Sequence, residues 1–391
     1  MKKLSIFTII FLLVANMVFS QTGYEFTDLI KLKTTSVKDQ YGSGTCWSFS
    51  AMSFIESEMI RMGAKDMPDL SEMYAVRYCY SDKATKYIRL GGNLNFGGGG
   101  AFHDVMYVLE NYGLVPEDAY TGLNYGLKKH YHSEMDAVLK AYVESIKENE
   151  NGKLSTAWHN GFDGILDAYL GEIPTSFQYN GKTYTPKTYA SEVVKINPDD
   201  YVEITSFNHH PFYESFMLEV PDNWLWGSVY NVPLDDMIKI IDNALENGYT
   251  VAWASDVSED GFSHTTYGVA VVPEEVDLAG MTETELSKWE TLTEAEKRNF
   301  TAPGKEMVIT QENRQEAFDN FQTTDDHGLH IIGTAKDQNG TKYYIVKNSW
   351  NVNSKYEGYF YASEAFVRYK TTDIMVNKNS IPKDIKTKLG L

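Results

Sequence analysis

Apolar residues recur with a helical period in the first half of the chain and with a strand period towards its end. After Cys46, the residues Trp47, Phe49, Met52, Phe54, Ile55, Met59 and Ile60 predict a helix buried on most sides, with Gly63 as its stop. Phe102, Val105, Met106 and Leu109 predict a second helix, closed by Gly113. Residues 128–147 read as a charged amphipathic helix. Asp235 is placed to cap a helix whose stripe is Ile238, Ile241 and Leu245, ended by Gly248. Thr282 and Glu285 have capping-box spacing for a helix over 282–299, and 312–321 predict another short helix.

Strand signals take over after that. YTVAWASDV, from Tyr249, reads as a strand, and so does TTDIMVN near the end. Between them, Asn339-Gly340 is a hairpin turn signal separating the apolar runs His330–Gly333 and Tyr343–Val346. The chain therefore mixes helices and antiparallel strands in separate stretches, an α+β pattern.

The first twenty residues change the picture. Two lysines precede an almost wholly apolar run, Leu4 to Phe19, and Ser20 is small, the pattern of a secretory signal peptide. A secreted or periplasmic location is the expectation. The remainder, 21–391, has no other run long enough for a membrane span and is ample for a large core. A formal net charge of −19 makes nucleic acid a poor partner. Two cysteines, Cys46 and Cys79, give no disulfide framework, and Cys79 sits in a helical stretch as a buried thiol. His209-His210 invites a metal reading, but no Cys, Asp or Glu is seen at ligand spacing. Packing or surface is expected for that pair and for His103 and His264, with no metal and no cofactor.

Candidate chemistry concentrates at the two ends of the chain. Gly42 and Gly44 allow a tight loop ahead of Cys46, which then begins a helix. A cysteine there feels the positive end of the helix dipole, which favours the nucleophilic thiolate. Gly97 to Gly100 precede the helix at Phe102, and the missing side chains permit close backbone approach. The hairpin carries His327 at its mouth and Asn348 at the end of its far strand, with His330 as a rival base read as sharing the side of His327.

Gln40, the Gly/Ser loop, Cys46-Trp47, the Gly99-Gly100 pair, Asp326-His327-Gly328 and Lys347-Asn348-Ser349-Trp350 resemble, in that order, the signature segments of papain-like cysteine peptidases. The resemblance implies Cys46 as nucleophile, His327 as base, Asn348 as its orienter and Gln40 as an oxyanion donor. It also implies Gly99 and Gly100 as the substrate-backbone rail and Trp350 as a cover over the His327–Asn348 bond. The fold implied is two-lobed, a helical lobe at about 37–125 and an antiparallel, barrel-like β lobe at about 233–376. A large helical insertion fills 126–232, and a short tail 377–391 follows.

Within that family the chain looks like the bleomycin hydrolase and aminopeptidase C group. That implies peptide substrates, aminopeptidase action and a possible homo-hexamer. In that group the enzyme's own C-terminal arm lies in the cleft, whereas here only KNSIPKDIKTKLGL follows the last strand. Two other readings follow: an endopeptidase with an open cleft, and a catalytically silent binding protein on the same fold.

Overall fold

The helix predicted from Cys46 becomes the centre of the molecule. The computed structural model describes residues 23–391 apart from 275, 277, 294–296, 298 and 299, so the signal-peptide reading lies outside the described residues. Helix α1 (Cys46–Arg61) is buried from Trp47 to Met59 and carries no proline. Gly44, at φ 66°, makes the turn into it. Helix α2 (Glu72–Arg89) starts where the Ser71 hydroxyl accepts from the Tyr74 N–H. Helix α3 (Phe102–Tyr112) starts where the Asp104 carboxylate accepts from the Ala101 N–H, and Gly113 ends it. Helices α4 (Ser133–Lys147) and α5 (Trp158–Leu170) send Met135, Leu139, Val143, Phe162, Leu166 and Leu170 into the same core.

Among the described residues eleven strands form one sheet. In chain order they are β1 (Phe26–Lys31), β4 (Tyr201–Thr205), β5 (Ser215–Met217), β6 (Ser228–Asn231), β7 (Val251–Ser255), β8 (Phe262–Ser263), β9 (Val269–Ala270), β10 (His327–Asp337), β11 (Lys342–Lys347), β12 (Tyr359–Ser363) and β13 (Thr371–Asn377), with β2 (Phe177–Tyr179) and β3 (Lys182–Tyr184) forming a separate hairpin. The order is β5-β6-β4-β13-β7-β10-β11-β12-β9-β8, with β1 paired to β10. All pairs are antiparallel except β4–β6 and β9–β12. The predicted hairpin is β10–β11, turned at Asn339-Gly340 with Gly340 at φ 87°.

The sheet separates two cores because its residues alternate. Ala252 and Met375 face the helical core with α1, whereas Val251, Trp253, Ile374 and Val376 face the core built on Met237, Ile238 and Ile241 of the helix Leu234–Glu246. This helix begins after Pro233, with Asp235 in its first turn rather than at its cap.

The structure alters three expectations. The β lobe is an open sheet, since its path ends in β5 and β8, which do not pair with each other. The insertion is not helical throughout: its helices end by Asp200, and β4, β5 and β6 then extend the sheet from β13, whose free edge needed partners. The tail turns back as the helix Lys383–Lys388, with Ile385 and Leu389 buried against the core of the β lobe. Among the described residues no helix is long and apolar enough to cross a membrane.

Candidate active site

Strand pairing brings the separated segments together. The start of β10 and the start of β13 both pair with the end of β7: His327 and Thr371 lie opposite Ser255, and Gly328 and Asp373 opposite Ala254. The start of α1 packs on this end of the sheet. A Cβ on Gly328 would stand 2.6 Å from Ser50 Oγ and 3.2 Å from the Cys46 carbonyl oxygen. Only glycine lets the strand approach the helix this closely. Cys46, His327 and Gly328 then line one cleft between the lobes.

His327 is 3% exposed, and its Nε2–H donates to Asn348 Oδ1 at 2.8 Å. The Ser349 N–H donates to the same oxygen at 2.7 Å, which fixes the amide orientation. Nδ1 is thereby left with the lone pair. The Trp350 ring stacks on the imidazole at 4.2 Å and 22°. Gln40 is tied to this loop twice: its N–H donates to the Ser349 carbonyl at 2.9 Å, and its Oε1 accepts from Ser349 Oγ at 2.6 Å. The amide NH2 of Gln40 therefore remains free to donate elsewhere. His330 is three residues from His327, not two, so it faces the other side of the strand. It meets Ser53 Oγ at 2.9 Å behind the cleft and is no rival base.

The helix start and the burial of Cys46 act on its thiol in opposite directions. Burial pushes the thiol up to about 12, and Asp325 and Asp222 push the same way, against the backbone N–H groups of Gly328 and Trp47. Burial pushes His327 down to about 4, against the Asn348 hydrogen bond and assisted by His264. Each group is disfavoured as a lone ion. Cys46 and Cys79 are both free thiols.

Sequence reasoning missed the acidic wall of the cleft. Asp222, Asp325, Asp326, Asp373 and Glu203 line it together with His103. His103 donates from its N–H to Glu203 Oε1 at 3.0 Å and shares Nδ1 with Oε2 at 2.7 Å. Burial opposes its protonation, but Glu203 outweighs that and brings it up to about 9. Burial, with Asp222 and Asp326 beside it, raises Asp325 to about 7. Asp325-Asp326 could have been noticed directly before His327; nothing in the sequence ties Asp222 to the cleft.

Asp222 also decides what becomes of the glycine rail. Gly100 lines the cleft, but a Cβ on Gly99 would lie 2.0 Å from Asp222 Oδ2. The strap over residues 218–227 thus covers Gly99. Asn95 Nδ2 holds Asp222 at 2.7 Å, and Trp224 Nε1 donates to Asp104 Oδ2 at 2.6 Å, anchoring the strap to α3. Among the described residues, none after Asp373 lines the cleft.

This fold, with a half-buried thiol at a helix start beside an asparagine-held histidine, is that of a thiol peptidase. The papain family cysteine protease model matches residues 25–204 and 303–378, and the chain belongs to that family. It is 22% identical to aminopeptidase C of Listeria monocytogenes over 91% of this chain and 83% of that protein. It is equally identical to aminopeptidase G of Lactobacillus delbrueckii subsp. lactis, over 90% and 83%. With the mitochondrial cysteine proteinase 1 of Saccharomyces cerevisiae it shares 21% identity over 94% and 80%. The crystal structure of PepW from Lactobacillus rhamnosis superposes with a TM-score of 0.69 at 19% identity, covering 93% of this chain and 84% of that one, which establishes the common fold.

The protein is a papain-family cysteine peptidase similar to the aminopeptidase C group. The expected secreted or periplasmic location is overturned by these relatives, whose names are those of aminopeptidases C and G and of a mitochondrial proteinase, an address inside the cell. An apolar N-terminal run is a compositional signal only, and residues 1–20 lie outside the described residues.

Proposed function

We propose that this peptidase removes residues from the free amino end of peptides, using Cys46, His327, Asn348 and Gln40. His327 Nδ1 takes the Cys46 proton as the thiolate attacks the peptide carbonyl. The Cys46 N–H and the Gln40 amide donate to the oxyanion, while Asn348 holds the ring in the tautomer that accepts at Nδ1. The imidazolium then protonates the leaving amine, and water, deprotonated by the same ring, hydrolyses the thioester. Gly100 pairs with the substrate backbone, and Trp350 shields the His327–Asn348 bond from water.

One observation carries the aminopeptidase reading: the cleft ends at Asp222, laid over Gly99, with Asp325 beside it. A longer chain running past Gly99 meets this strap. A peptide that ends in an ammonium finds carboxylates there, and charge-assisted hydrogen bonds are the strong ones. These carboxylates do the work that a C-terminal carboxylate in the cleft would do. The described tail packs on the β lobe through Ile385 and Leu389.

The test compares matched fluorogenic peptides with a free and an acetylated N-terminus, in reducing buffer, with Cys46→Ala as control. Cleavage confined to the free amine supports the proposal. Equal Cys46-dependent cleavage of both defines an endopeptidase and ends it.

A further inference from the structure

A second constellation lies outside the cleft, at the root of the strap. His209 and His210 sit in the loop after β4, and Glu219 follows β5. The antiparallel β5–β6 pair and the parallel β4–β6 pair fold these segments side by side, which no local spacing announced. Glu219 Oε2 stands 3.1 Å from His209 Nε2, and Oε1 stands 2.9 Å from His210 Nε2. One donor atom from each of the three lies within 4.8 Å of the others. Zinc takes imidazole nitrogen and carboxylate oxygen at about 2.0–2.2 Å, so tetrahedral ligand atoms stand roughly 3.4 Å apart. The two histidine–carboxylate contacts are a few tenths of an ångström short of that spacing and all three donors lie within 4.8 Å, so small side-chain rotations bring them around one ion.

The rings are held ready for it. His210 stacks on Phe216 at 4.1 Å and 24°, and His209 lies parallel to Phe318 at 5.9 Å and 12°. Gln315 faces the other nitrogen of His209, Nδ1, with both its oxygen at 3.3 Å and its nitrogen at 3.0 Å. Its oxygen also accepts from the Asn208 N–H at 2.7 Å, and its nitrogen donates to Asp319 Oδ1 at 2.8 Å. The amide therefore satisfies either tautomer. It donates to Nδ1 when Nε2–H serves Glu219, and accepts from Nδ1–H when Nε2 turns to a metal. All three side chains are partly exposed, at 29%, 34% and 53%, so water can complete the coordination.

We propose that His209, His210 and Glu219 bind a divalent transition metal of the zinc class. Two imidazoles with one carboxylate suit zinc rather than magnesium or calcium, which prefer all-oxygen sites. The site is a clamp rather than a catalytic centre. It ties the loop after β4 to Glu219, whose neighbours Leu218, Val220 and Asp222 line the cleft. Metal binding steadies the wall that carries Asp222.

The experiment uses full-length chain carrying Cys46→Ala, which removes the thiol as a competing zinc ligand. Equilibrium dialysis against zinc, with metal quantification, is run beside thermal melts with and without zinc. The expected result is one equivalent bound and a zinc-dependent rise in Tm. Glu219→Gln and His210→Ala abolish both, and Gln315→Leu weakens binding by about 10- to 100-fold. The substituted side chains at 210 and 219 are partly exposed, and metal-free melting temperatures equal to the parent's establish that these variants fold. Zinc retained equally by parent and Glu219→Gln, or by neither, overturns the proposal and leaves a metal-free hydrogen-bonded trio.

Discussion

Replacing Asp222 by Asn isolates its charge from its shape. Asn keeps the volume over Gly99, and its Oδ1 still accepts from Asn95 Nδ2, now 2.7 Å from Asp222 Oδ1. Only the carboxylate is lost. A hydrogen bond to a charged group contributes about 1.5–3 kcal/mol, and each 1.36 kcal/mol is about a factor of ten in rate. The free-amine substrate should therefore lose roughly 10- to 150-fold in kcat/KM, chiefly through KM because the ammonium binds in ground and transition states alike. The residual activity on an acetylated peptide should not fall. It should rise slightly, because Asp222 is one of the charges that hold the Cys46 thiol up. Asp222→Ala goes further, uncovers Gly99, and should increase cleavage of the acetylated peptide. The assay is steady-state hydrolysis of the matched pair by parent and both variants. An equal loss on both substrates with Asp222→Asn would mean that Asp222 merely supports the fold, and the argument for amine recognition would be refuted.

Three further outcomes are expected. Gln40→Ala should lower kcat by about 10²–10³-fold, with little change in KM, since an oxyanion donor acts in the transition state; single-turnover kinetics showing an unaltered acylation rate would rule this role out. Asp325, raised to about 7 by burial and by Asp222, is neutral below that pH and a carboxylate above it, while a substrate α-amine loses its proton above about 7.7–8.0. The kcat/KM of free-amine substrates should thus be bell-shaped with its maximum between about 7 and 8, and Asp325→Asn should remove the acidic limb; a limb unmoved by Asp325→Asn counts against this assignment. Gly100→Ala should destabilise the fold by about 1–3 kcal/mol, because the new Cβ lies 2.5 Å from Asp104 Oδ2 and 2.8 Å from Trp47, both of which are anchored by hydrogen bonds. Calorimetry reads this as a lowered Tm, and an unchanged Tm would show that the loop yields instead.

Local chemistry determined much of this protein before any folding was considered. The recurrence of apolar residues after Cys46 over sixteen residues without a proline favours a buried helix, and Gly44 at φ 66° turns the chain into it. Asn339-Gly340 signals a two-stranded hairpin, which brings His327 and Asn348 to the same end of the sheet; the 2.8 Å bond between them also needs the bulge between Ile331 and Gly333 and the pairing of His327 with β7. The order of Gln40, Cys46, His327 and Asn348 was likewise legible, because each sits in a short segment whose residues serve one another. Tertiary structure alone decided what surrounds them. Asp222, Asp373 and Glu203 reach the cleft through sheet pairings and a strap whose partners are remote in the chain, and no local pattern encodes a contact made across such a separation. The same holds for Glu219 beside His209 and His210. It holds too for the surroundings of Cys46, where burial and two aspartates that only the folded chain brings near push the thiol up.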